Sequence, residues 1–130
     1  MTVLAPAIPA QVSPSRQVAV TVAGATVVVP CPLWCTHPHS EAYRSLPDVS
    51  HHGAPITLAA PTYGGVEQTL TARISSWPFA SDPETATPFI AFDAIGDECA
   101  QLAPTAALAV ADQVIAHGYA LRALASSVTA

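Results

Sequence analysis

Two cysteines and four histidines fall between Cys31 and His52. They occupy the run Cys31-Pro32-Leu33-Trp34-Cys35-Thr36-His37-Pro38-His39 and the pair His51-His52. Thiols and imidazoles at this density form a ligand set for a tetrahedral metal ion. A fold that uses it must bring the two ends of a proline-bearing loop together. No other stretch of the chain constrains the fold so strongly.

Zinc takes four ligands from thiolate sulfur and imidazole nitrogen. Cys31 and Cys35 have the spacing of a zinc knuckle, and His39 follows Cys35 by the same interval. Only one residue lies between Cys35 and His37, and Pro38 stiffens the step, so the spacing favours His39 and keeps His37 as its alternate. His51 and His52 point to opposite sides of an extended backbone. His51 is preferred, with His52 as its alternate. The expected centre is a structural Zn2+ held by Cys31, Cys35, His39 and His51. Four protein ligands leave no open position for water or substrate. Trp34 reads as an apolar lid over the metal. The competing readings are a Cys31–Cys35 disulfide in an exported protein, or buried cysteines with surface histidines and no metal. Cys99, far along the chain, reads as a small buried apolar residue.

The cluster sits at a strand end. Val18, Val20 and Val22 alternate with other residues, and Val27-Val28-Val29 follows, with a turn expected at Gly24-Ala25. Residues 36–55 show no periodicity, and a metal would organise them. Ile56-Thr57-Leu58 reads as a short strand and Tyr63-Gly64-Gly65 as a turn. In 66–76, Val66, Leu70, Ala72 and Ile74 share one face, which predicts a sheet wet on one side. Phe89 to Phe92 is a further strand, the segment 93–97 a turn, and 98–102 a short strand. Pro104 opens a helix expected to reach Ala125. Its stripe of Leu108, Ala111, Val114 or Ile115, Gly118 and Leu121 is expected to cover the buried sheet face, with Gly118 at a close approach. The fold class is therefore α+β: an antiparallel sheet of four to six strands, one long C-terminal helix packed on a face, and a zinc-pinned loop. A flexible Pro- and Ala-rich tail over 1–16, one domain over 17–125 and a frayed end over 126–130 complete the organisation.

Composition narrows the function. The chain carries a net charge of −5, and its cations are Arg16, Arg44, Arg73 and Arg122, with no lysine. Scattered arginines among more numerous acids give no phosphate-binding strip, so nucleic acid is not an expected partner. No apolar run approaches a spanning length, so no membrane association is expected. The first ten residues lack the positive region of a signal peptide. A cytoplasmic location is expected, where paired cysteines near histidines favour metal over disulfide. Asp93, Asp97 and Glu98 around Gly96 lack the donor spacing of a calcium loop, and His117 reads as a surface residue on the helix.

Cys-Pro-x-Trp-Cys at 31–35, a histidine just beyond it, His-x-Gly at 51–53 and the Leu/Ala-rich C-terminal helix together resemble an uncharacterised family of small actinobacterial and actinophage domains. The likeness covers about residues 18–125. It implies zinc and a source, but no reaction. The function expected is that of a non-enzymatic zinc-binding domain acting through contact with an unidentified protein partner. Two alternatives stand beside it. One is a zinc-dependent hydrolase with three ligands and Glu41 or Asp48 as base. The other is a phage structural or assembly protein.

Overall fold

In the computed structural model, which describes residues 14–94 and 98–129, valine alternation sets the first layer. β1 (Ser15–Val22) and β2 (Ala25–Pro32) form an antiparallel hairpin in which Val20 faces Val27 and Arg16 faces Cys31. Val18, Val20 and Val22 point inward from β1, and Val27, Val29 and Cys31 from β2. The period of two that buries the valines thus carries Cys31 to the same inner face. The turn uses Ala23 and Gly24, at φ of 48° and 81°, rather than Gly24 and Ala25. Two successive left-handed residues match the twist of a hairpin. β3 (Ala42–Tyr43) adds in parallel to β1, and Tyr43 joins Val20, Val29 and Val49 in the core. Phe79 packs against this cluster from the turn after the sixth strand.

The remaining strands form a second sheet. β4 (His51–His52) and β5 (Ile56–Thr62) share one edge of the long strand β6 (Gly65–Ser76). β7 (Phe89–Asp93) lies on its other edge, and β8 (Cys99–Leu102) pairs outside β7. A single helical turn, α1 (Pro83–Ala86), is capped by the Asp82 side chain. The long helix α2 (Pro104–Val128) follows β8. The class is α+β, as expected, with its strands divided between a three-stranded and a five-stranded sheet. No helix of the described residues is long and apolar enough to cross a membrane.

Several expectations are corrected. The 36–55 segment contains β3, β4 and a 3-10 turn at Leu46–Asp48. Two-residue strands carry no readable period. In β6, Leu70 adopts φ 53°, and the register with β5 shifts beside it. This bulge breaks the alternation; Val66 is exposed, and Ser75 and Ser76 are buried where β4 pairs with the end of β6. Cys99 lies on the edge strand β8 and is exposed. The helix stripe does not cover the sheet: Leu108 and Leu121 are 67% and 60% exposed, and no atom of another element lies within 4 Å of a Cβ built on Gly118. At 25 residues, α2 is about 37 Å long, whereas the four residues of β8 span about 13 Å. The helix simply outruns the strands it touches. It is helical through Val128, beyond the expected Ala125, and β1 begins ahead of Gln17. Most of the expected tail (residues 1–13), the 95–97 turn with Asp97 of the calcium reading, and Ala130 lie outside the described residues.

Candidate metal centre

Four elements deliver the cluster. Cys31 comes from the inward face of β2. Cys35 follows a tight turn closed by its backbone N–H on the Pro32 carbonyl at 3.0 Å, and bridges to Gly53. His39 stands in the loop at φ 55°, a left-handed conformation that aims its ring back at the thiols. His51 is held in β4 opposite Ser76 of β6. The centre therefore lies where the two sheets meet, with Cys31 from one and His51 from the other.

The donor atoms of Cys31, Cys35, His39 and His51 all lie within 4.8 Å of one another, and all four residues are buried. His39 Nε2 lies 3.5 Å from the Cys31 sulfur and 3.6 Å from the Cys35 sulfur. A tetrahedral ion with metal–sulfur bonds of about 2.3 Å and metal–nitrogen bonds of about 2.0 Å separates sulfur from nitrogen by about 3.5 Å. The spacing already matches that polyhedron. His51 is 1% exposed, and neither of its ring nitrogens has a hydrogen-bond partner. Buried polar atoms left unpaired are costly and rare, and a metal ion would satisfy one of them. A buried Cys2His2 cluster of this kind fits a metal site.

Protonation follows from the same burial. Removal from water pushes the Cys31 thiol up to about 11, with the neighbouring Cys35 adding to the rise and the Arg16 guanidinium opposing it. Burial lowers His51 to about 4, helped by the other histidines. His39 is also lowered, by burial and then by His37. The imidazoles are thus held neutral, the form that binds metal.

The surrounding residues fix orientation. The Tyr43 hydroxyl bonds to His39 Nδ1 at 3.0 Å, leaving Nε2 toward the sulfurs. Burial and the nearby Glu41 charge raise Tyr43 to about 12, so the hydroxyl keeps its proton. Arg16 donates from Nη2 to the Cys35 carbonyl at 3.2 Å. Trp34 is half-buried, with its ring edge-on to His51 at 6.4 Å, and a Cβ on Gly53 would meet the Trp34 carbonyl at 3.2 Å. The sequence pointed to Trp34 beside the cluster but not to Tyr43 or Arg16. Arg16 faces Cys31 across the hairpin, whereas a turn at Gly24-Ala25 would have set it opposite Leu33. Tyr43 carries no local signal.

The two alternate histidines are engaged elsewhere. His37 Nε2 bonds both Glu41 carboxylate oxygens at 2.8 and 2.9 Å. Partial burial pushes the Glu41 carboxyl up, but hydrogen bonds from its own backbone N–H and from His37 outweigh this and hold it below the usual range. His52 Nδ1 pairs with the Ser75 hydroxyl at 2.9 Å and its Nε2 with Ser50 at 3.1 Å. Asp48 accepts from the Ser45 hydroxyl at 3.0 Å. His117 is exposed on α2. No curated protein and no solved structure matches the chain. A family model described as a domain of unknown function, DUF6907, matches residues 16–130. The chain belongs to the DUF6907 family.

Proposed function

We propose that this chain binds one structural Zn2+ through Cys31, Cys35, His39 and His51, and that it works by contact with another protein rather than by catalysis. The carrying observation is the convergence of four buried donors at tetrahedral spacing. Two thiolates balance the charge of the ion, and four ligands fill its coordination. Glu41 and Asp48, the carboxylates considered as a base, are engaged by His37 and Ser45, which favours the non-enzymatic reading. The zinc acts as a staple between the β1–β2–β3 sheet and the β4 edge of the second sheet.

The contact role is supported by apolar surface left uncovered, half of its large side chains along α2. This favours an assembly or adaptor role over a hydrolase. A cytoplasmic setting fits thiols kept reduced for metal. An actinobacterial or actinophage source, suggested by the lysine-free, alanine- and valine-rich composition, belongs to the same reading. Elemental analysis by inductively coupled plasma mass spectrometry tests the metal. One zinc per chain is expected, falling below about a tenth in Cys31→Ser, since a lost thiolate removes both a bond and a charge. A folded chain free of zinc, purified without chelator, rules the centre out.

A further inference from the structure

The helix α2 leaves the body of the domain early. Ala107 and Val110 are half-buried where the helix passes β7 and β8, and every residue from Ala111 to Thr129 is exposed. The projecting part is about 27 Å long at 1.5 Å per residue. An isolated helix of that length is marginal in water, and this one is rich in apolar side chains. Val110, Val114, His117, Leu121, Leu124 and Val128 recur at alternating intervals of four and three residues. That is the 3.5-residue repeat of a helix that packs on another helix, because only then does the apolar seam stay facing its partner.

The charge pattern is compatible with a second copy of the chain as partner. The positions beside the seam, where charges select one partner over another, are Ala111, Gln113, Gly118, Ala120, Ala125 and Ser127. None is charged. Asp112 and Arg122 are opposite in sign and lie away from the seam. A chain of net charge −5 therefore meets its own copy here with no like charges opposed. In an antiparallel register Val110 faces Val128, Val114 faces Leu124, and His117 faces Leu121. Val114 then meets the larger Leu124, and the two His117 rings are kept apart.

We propose that two copies of this chain pair through an antiparallel α2–α2 seam. This rests on the contact role above and names its partner as a second copy. Sedimentation equilibrium of the zinc-loaded full chain is expected to give twice the chain mass of 13.3 kDa. The double substitution Leu121→Glu, Leu124→Glu should weaken association by about 100-fold or more, because it places charge in an apolar seam. Both leucines are exposed in the single chain, so zinc content and circular dichroism should match the parent. Loss of zinc in the parent chain would mark failure of the metal reading. A zinc-loaded monomer would overturn the seam alone, as would a dimer indifferent to the double substitution. In a Cys99→Ser background, a mixture of the Val114→Cys and Leu124→Cys chains should cross-link to each other. Cross-linking of each chain only with itself would overturn the antiparallel register. A monomer in which deletion of residues 1–13 strips α2 of hydrogen-exchange protection would assign the seam to that segment instead.

Discussion

The Tyr43 hydroxyl stands 3.0 Å from His39 Nδ1, while Nε2 of the same ring faces the Cys31 and Cys35 sulfurs. One residue of the valine core thereby sets the orientation of a cluster histidine. Tyr43→Phe keeps the packing and removes the hydrogen bond. We expect zinc affinity to fall about 10- to 100-fold, as for other partners of ligating histidines, with little loss of folding stability in the zinc-loaded chain. Competition against a chromophoric chelator measures it. Unchanged affinity would mean that packing alone holds the ring.

Zinc affinity should rise with pH. In the proposed centre zinc would take the Cys31 thiolate, and a thiol whose pKa is raised to about 11 is protonated throughout the neutral range. Each such proton displaced makes affinity climb about tenfold per pH unit. His51, lowered to about 4, is already neutral above that pH and adds no slope there. Chelator competition at pH 6, 7 and 8 should therefore show at least this gradient. A flat profile would show that the thiol is ionised before metal arrives.

Ala23 occupies a left-handed conformation at φ 48°, which costs an L-residue about 1–2 kcal/mol. Ala23→Gly relieves that strain and should stabilise the chain by about 1 kcal/mol after the added freedom of the unfolded glycine is deducted. Urea denaturation reads it as a higher midpoint. A lower midpoint would place the turn elsewhere.

Leu121→Ala and Val29→Ala should separate sharply. Reading Leu121 as core would predict a loss of about 2–5 kcal/mol. At 60% exposure it should instead cost less than about 0.5 kcal/mol in dilute protein. Val29, 2% exposed beside Tyr43, should cost about 2 kcal/mol. A large loss for Leu121 in the monomer would show that α2 folds back on the sheet.

What was legible in the sequence is what periodicity and ligand chemistry carry. Valines at alternate positions gave the first hairpin and Pro104 the start of α2; residue type and spacing singled out Cys31 and Cys35 and left a choice within each histidine pair, where the fold puts His39 and His51 beside the cysteines. The division into two sheets was not legible, because it depends on β3 and β4, two residues each. The Leu70 bulge was hidden inside an alternating pattern that reads as a regular strand. The stripe on α2 was visible, but a helical period alone does not say whether a sheet or another helix covers it.

The proposed metal staple between the sheets predicts that metal loss is felt at their junction. In a metal-free chain, hydrogen exchange should quicken first at the Thr36 and Gly53 amides, which bond to the His52 and Ile74 carbonyls at 2.9 and 2.8 Å. The β1–β2 hairpin should keep its protection longer. Simultaneous loss in both would make the metal integral to the valine core.

Zinc-edge X-ray absorption on the purified chain tests the proposed centre most directly. The result expected is two sulfurs at about 2.3 Å and two nitrogens at about 2.0–2.1 Å, with no oxygen in the first shell. A shell with an oxygen ligand, or with fewer than two sulfurs, would contradict a closed centre built from Cys31, Cys35, His39 and His51.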